Sequence, residues 1–462
     1  MRQILTPSTV PWVLFACAAA PVLAWRSTGF PNLFLEDDAY FYLQIAWNIG
    51  TGHGSTFDGL TITNGYHLLW MGLLSVLAWV VASLGFGKAA MVVLVSLAGV
   101  SLAATSAVGA FRSTAERIFY VVLALFCGAT MEGTLVAALC LLAMRAFLDD
   151  DASLPVTLGA AFLLPLARID YGWVAPALAL ICLGDRGRMQ RLPLLPIAAA
   201  AALGAATHFA VERAMFGTWT TVSSAYKADL FTRSGAFLIV QNLANRANQI
   251  RYACAALCGI AIGAQAWRLR EGRTALAFGV ALAPLMLYSV VNAMRDWYFL
   301  PGLAMLLLLA SRACTHAPRA WRTAVAIQAS VIAIACVMYL IQVQPDWQRT
   351  SAFVSAARAT LTSADVVYQI DGSGFTGWTL PAHVVNGDGL VNSWSYRERL
   401  RANALGSYLR DVRATHIIDN RESVDPLLQY HGLVVRADQA TLEADTGQTR
   451  NGAVHYRLFR LK

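Results

Sequence analysis

Of the 462 residues, 57% are hydrophobic and 13% are charged, with 35 Lys and Arg against 27 Asp and Glu for a net charge of +8. Soluble globular chains carry about 25% charged residues, and with a mean hydropathy of +0.52 this one is indicated as a polytopic membrane protein, not a soluble fold. Its basic excess sits in short loops between apolar runs, as the positive-inside rule expects, which excludes nucleic acid as a partner.

In chain order, the run PWVLFACAAAPVLAW within residues 9–26 is long for a signal peptide and predicts an uncleaved transmembrane helix. An acidic, aromatic and glycine-rich loop follows over 28–66, then two apparent spans at 67–86 and 88–111. Further apolar runs end near residues 128, 148, 166, 183, 214, 267, 292, 311 and 343, giving a helical bundle of about 10 to 12 helices at roughly 1.5 Å of rise per residue. The runs 118–128 and 154–166 are short, as helices that line a cavity often are.

Basic loops at Arg112 and Arg117, at Arg186, Arg188 and Arg191, at Arg268, Arg270 and Arg273, and at Arg312, Arg319 and Arg322 alternate with the other turns. If they are cytoplasmic, the turns at Met131, Arg168, 215–245 and Arg295 lie outside, together with everything after the last helix. Two full spans at 67–86 and 88–111 would put Arg112 on the wrong side. One early segment is therefore interfacial or re-entrant, or a crossing is miscounted. Residues 1–344 thus read as the membrane domain and the charge-rich 345–462 as a soluble extracytoplasmic domain. There, strand, Gly-rich turn, helices and the strand Thr415 to Asp419 predict a small α/β unit with no catalytic assignment. The eight cysteines fall in or beside apolar segments, so no disulfide framework is implied, and Cys254 with Cys258 reads as helix packing.

The ionisable residues at helix ends gather on the outer side of this map. They are Glu36, Asp37, Asp38, His53 and His67 from the first loop, Glu132, Arg168 with Asp170, Lys227, and Arg295 with Asp296 beside Trp297. Such groups cost several kcal/mol, roughly, against lipid and are expected to face a wet cavity or one another. Each has a plainer reading: Asp37, Asp38 and Glu132 as first-turn helix charges, Arg168 with Asp170 as a structural ion pair, His53 as a turn residue, His67 as an interfacial one. The series Tyr40, Phe41, Tyr42 and Trp47 fits an interfacial aromatic belt. The combination points further than any member: carboxylates and cations on one cavity suit an anionic, lipid-linked ligand.

The succession EDDAYFYLQIAWNIGTGHGSTFDG…TNGYHLLW, MEGTL, RID, FGTWTTVSSAYK and RDWYFLP resembles bacterial GT-C integral-membrane glycosyltransferases. The similarity is to the group containing the mycobacterial cell-wall arabinofuranosyltransferases and their relatives, and it spans residues 34 to about 300. The chain departs from that pattern with Met-Glu-Gly-Thr for Met-Glu-Thr, Ile169–Asp170 for Pro–Glu, and Thr220, Thr221 and Val222 for Pro-Asn-Thr. These departures bear on sugar and acceptor more than on reaction class.

The resemblance implies transfer, with inversion, of a sugar from a polyprenyl-phosphate donor to a glycan or lipid acceptor at the outer face of the bacterial cytoplasmic membrane. Asp37 or Asp38 is the implied base, with Asp37, nearer the membrane exit, the first choice. Arg168, Lys227 and Arg295 suit the donor phosphate. Glu132, Asp170, His53, Tyr66, His67 and Trp297 are the implied substrate contacts. Metal use is open, since Arg and Lys can handle a phosphate monoester alone while an Asp pair can hold Mg²⁺ or Mn²⁺. A lipid or glycan flippase predicts paired interrupted helices, which the two halves do not show, and a non-catalytic envelope scaffold would tolerate loss of either first-loop acid.

Overall fold

The computed structural model describes residues 36–149, 153–183, 185–229, 272–290, 295–314, 350–419, 428–431, 433–445 and 456–462. The helix expected over 9–26 and the runs expected to end near 267 and 343 lie outside them. The described helices are α1 (Asp37–Gly50), α2 (Leu68–Ser83), α3 (Lys88–Ala110), α4 (Thr114–Phe126), α5 (Glu132–Leu148), α6 (Leu154–Ala167), α7 (Val174–Ile181), α8 (Arg186–Arg191), α9 (Leu194–Phe216), α10 (222–229), α11 (Gly272–Val290) and α12 (Asp296–Cys314). Among these, α3 and α9 are long and apolar enough to cross a membrane, and α2, α6, α11 and α12 are apolar but shorter.

Side-chain contacts sort the helix ends into two groups. At one end of the bundle Arg168, which closes α6, bonds Glu132 at the start of α5, and Asn64 bonds Glu212 near the end of α9. At the other end Arg312 of α12 and Arg145 of α5 share Asp149, and Arg273 of α11 pairs with Asp185 beyond α7. Arg112 belongs to this second group, since its charge acts on Arg312.

That arrangement identifies which of the two early apolar segments does not cross. His67, at the start of α2, sits beside Glu132. Beyond the other end of α2, Lys88 Nζ reaches Gln44 of α1 at 2.7 Å and the carbonyl of Trp378 in the C-terminal region at 3.2 Å. Both ends of α2 therefore lie at the same end of the bundle, and the helix does not cross. It runs along α1, with Gly50 against the backbone of Trp79, and leaves Leu73, Val76, Trp79 and Val80 exposed. Only α3 carries the chain from Lys88 to Arg112, so Arg112 reaches the end where the other arginines gather.

The C-terminal region begins with α13 (350–360) and contains β1 (Val366–Gln369), α14 (Ser373–Thr379), β2 (His383–Asn386), α15 (Trp394–Arg401), α16 (Leu405–Asp411), β3 (His416–Asp419), β4 (Leu428–Tyr430), β5 (Leu433–Val435), β6 (Ala440–Asp445) and β7 (Arg457–Leu461). Five strands form a sheet in the order β2-β1-β3-β7-β6, with β1 parallel to β2 and β3 and β7 antiparallel to its neighbours; β4 and β5 pair separately. A core of Tyr368, Tyr396, Leu405 and Phe459 covers one side. On the other side Val367, Phe375, Trp378 and Leu458 join the cluster that runs through α1 and the bundle, so both regions share one core. The loops leaving the carboxyl ends of β1 and β2, where ligand crevices form in sheets with parallel strands, abut α1 and residue Gly65.

Candidate active site

The first loop is built before it is functional. Asp58 accepts the backbone N–H groups of Leu60 and Thr61 at 2.8 and 2.9 Å, and Gly52, Gly54 and Gly59 turn with positive φ. Asn64, buried, donates to Glu212 at 2.7 Å and to the Thr220 carbonyl at 3.1 Å, and accepts from Val222 N at 3.0 Å and from the Trp394 indole at 3.1 Å. One asparagine thereby joins loop, α9, α10 and the C-terminal region, which aligns Tyr66 and His67 with α1.

A cleft holding about 410 Å³ of empty space, part of it open to solvent, lies where these elements meet. Asp38, Phe41 and Tyr42 enter it from α1, Tyr66 and His67 from the loop, and Met131 and Glu132 from the start of α5. Lys227 comes from α10, Trp297 and Tyr298 from α12, and Leu390 and Val391 from the loop after β2. Gly65 meets the Leu390 carbonyl so closely that a Cβ would overlap it.

The two adjacent acids have different surroundings. Asp38 faces the cleft, and its charge is the main reason the Arg295 guanidinium is held above its ordinary range. Asp37 instead accepts the backbone N–H groups of Gly374 and Phe375, both at 2.9 Å. Burial pushes the Asp37 carboxyl up to about 7 despite those two hydrogen bonds.

Behind the cleft is a buried ion cluster. Arg168 donates from Nη1 to Glu132 at 2.9 Å, from Nε and Nη2 to the two oxygens of Asp170 at 3.1 and 2.9 Å, and from Nη2 to the Tyr288 hydroxyl at 3.1 Å. Its guanidinium also lies 4.0 Å from the Tyr298 ring centre. Most of its five N–H donors are thus committed within the protein. Glu132 Oε2, though buried, has no hydrogen-bond partner among the described residues. His67 Nε2 lies 3.7 Å from Glu132, and burial, with the Arg168 charge, holds this imidazole well below its ordinary value, hence neutral.

Among the cations, Lys227 faces the cleft and donates to the Tyr298 hydroxyl at 2.6 Å, while Arg295 is solvent-exposed at the start of α12. Gly133 allows the Trp297 carbonyl to pack directly on α5, and a Cβ there would overlap it. The structure therefore brings Asp38, Tyr66, His67, Glu132, Lys227 and Trp297 into one cleft. It sets Arg168 and Asp170 behind it, Asp37 beside it against α14, and Arg295 within the electrostatic reach of Asp38. His53 does not line it: the ring is exposed and bonds Thr51 Oγ1 at 2.8 Å. Leu390 and Val391 are not legible in the sequence as site residues, because only the fold brings them there, whereas Tyr298 follows Trp297 in the RDWYFLP motif.

The described residues present no ready-made ligand set for a divalent cation. Asp37 spends both oxygens on backbone N–H groups, Glu132 is paired with Arg168, and no group of three or more His, Cys, Asp or Glu side chains is arranged to hold a metal among them.

No protein-family model and no curated protein matches the sequence. Among solved structures the chain is similar to ArnT from Cupriavidus metallidurans bound to undecaprenyl phosphate, with a TM-score of 0.57 and 13% identity over 98% of each chain. The apo state of the same protein gives a TM-score of 0.53, again at 13% identity over 98% of both chains. The likeness is one of fold, over almost the whole length of both chains.

Proposed function

We propose that this protein is an inverting glycosyltransferase that moves a sugar from a polyprenyl-phosphate donor to a glycan or lipid acceptor at the outer face of the bacterial inner membrane. The observation that carries the proposal is the cleft with Asp38, Glu132 and Lys227 on its walls, in a fold shared with a protein solved with undecaprenyl phosphate bound. Orientation follows from charge: the end opposite the cleft carries Arg112, Arg145, Arg273 and Arg312, which the positive-inside rule assigns to the cytoplasm. The C-terminal region is then extracytoplasmic.

Asp38, not Asp37, is the base. It faces the cleft with its carboxylate available to an acceptor hydroxyl, whereas both oxygens of Asp37 are held by α14. The acceptor oxygen attacks the anomeric carbon and its proton passes to Asp38. The bond from that carbon to the phosphate oxygen breaks, and polyprenyl phosphate leaves. Lys227 and Arg295 counter the phosphate charge as it forms. Arg168 balances Glu132 and Asp170, which leaves Glu132 Oε2 to accept from a substrate hydroxyl. The kinship to the arabinofuranosyltransferase group belongs to the same reading and rests on the sequence motifs between residue 34 and about 300, the first-loop motif foremost.

Transfer of radiolabelled sugar in membranes expressing the protein, supplied with a panel of polyprenyl-phosphate sugars, tests this. Asp38→Asn is expected to lower turnover at least a hundredfold, in line with the roughly 10²–10⁴ that general-base catalysis contributes, with expression unchanged. Wild-type turnover in Asp38→Asn would remove the mechanism.

A further inference from the structure

Asp37 and Asp38 are consecutive on one helix, so their side chains leave it about 100° apart by the helical repeat, one into the cleft and one into the C-terminal region. The Asp37 contact is specific. Its two oxygens each take one backbone N–H at 2.9 Å, from Gly374 and Phe375. Gly374 lies so close to the Asp37 carbonyl that no side chain fits between them. The grip continues along α14: Tyr40 meets Phe375 edge-on at 5.2 Å, Trp47 meets Trp378 at 6.3 Å, and Lys88 holds the Trp378 carbonyl at 3.2 Å.

From α14 a short chain of bonds leads to the cleft wall. Ser373, the first residue of α14, accepts from Asn386 Nδ2 at 2.8 Å, and Asn386 Oδ1 accepts from Val391 N at 3.4 Å. Leu390, next to Val391, is the residue seated on Gly65. We propose that Asp37 is a positioning residue: it docks the C-terminal domain on α1 and, through Ser373 and Asn386, fixes Leu390 and Val391 as the cleft wall that limits the space for the acceptor. This rests on the glycosyltransferase reading for its chemistry, but the docking itself does not.

The test uses the full chain in lipid nanodiscs, with amide hydrogen exchange read on 373–379, 386–392 and α9. Asp37→Ala is expected to speed exchange at least tenfold in both C-terminal segments and leave α9 at wild-type rates. Turnover should fall at least tenfold, with affinity for undecaprenyl phosphate within threefold of wild type. Gly374→Val, which breaks the contact from the other side without removing a carboxylate, should give the same exchange pattern even if Asp37→Ala does not fold. Loosening confined to 373–379, or wild-type exchange in both segments, overturns the inference. Lost turnover with unchanged exchange also overturns it, since Asp37 would then act in the chemistry. A wild-type protein that binds no undecaprenyl phosphate removes the functional reading, while the exchange pattern still decides the docking.

Discussion

Replacing Arg168 with Met removes the only cation bonded to both Glu132 and Asp170 among the described residues. The Arg168 and Glu132 side chains are 5% and 1% exposed, so water replaces little of what Glu132 loses, while Asp170, 28% exposed, is partly hydrated. Breaking a buried pair by deleting one partner costs about 3–5 kcal/mol, and here two carboxylates lose their counter-charge. The Tyr288 hydroxyl still donates to Asp170, which offsets part of the loss, so about 4 kcal/mol is a fair expectation on that scale. Arg168→Lys keeps the charge but cannot span Glu132 and both oxygens of Asp170. At least one hydrogen bond to a charged group is then lost, costing about 1.5–3 kcal/mol. Thermal unfolding of detergent-solubilised protein, followed by tryptophan fluorescence, should rank wild type above Arg168→Lys above Arg168→Met. Adding Glu132→Gln and Asp170→Asn to Arg168→Met should recover much of the loss, because the stranded charges are gone. An Arg168→Met protein as stable as wild type, or a triple variant no better than the single one, would refute the reasoning.

Two further outcomes follow from geometry already described. The Asp37 carboxyl is held at about 7, and that of Asp388, which accepts from Leu390 N at 2.8 Å in the loop after β2, at about 8, both by burial; unfolded aspartates titrate near about 3.9. The folded protein therefore retains these protons longer, and their contribution to stability is greatest below about pH 4 and declines as pH rises through 7 and 8. Asp37→Asn should accordingly gain on wild type in melting temperature between pH 4 and 7; parallel melting curves against pH would contradict the assignment. Gly133→Ala should cost about 1–3 kcal/mol by overpacking against the Trp297 carbonyl and displace Trp297 in the cleft, read as a lower melting temperature and a shifted tryptophan emission. An unchanged spectrum and melting temperature would mean that α12 yields freely.

Much of the site was legible because polar groups at the ends of apolar helices are costly unless they converge, and Asp38, Glu132, Lys227 and Trp297 do. What the sequence could not assign was which of two adjacent acids faces the cleft. Asp37 and Asp38 are chemically alike, and the difference lies in a backbone contact made more than 330 residues downstream. In the sequence Arg168 and Asp170 fit both ligand contacts and a structural pair, and only distances separate those readings. The apparent span at 67–86 is misleading for a similar reason: hydropathy counts apolar residues without regard to direction, and a helix lying on a bilayer can be as apolar as one crossing it.

That helix has one more consequence. If α2 floats with Leu73, Val76, Trp79 and Val80 in the lipid, it marks a waterline on the molecule, and because His67 is its N-cap residue and lines the cleft it ties that waterline to the cleft wall. The depth of the reacting groups below the membrane surface is then set by one rigid rod and not by the thickness of the bilayer. A carrier lipid, whose phosphate travels at headgroup level, would meet the cleft at the same height in a thin membrane as in a thick one.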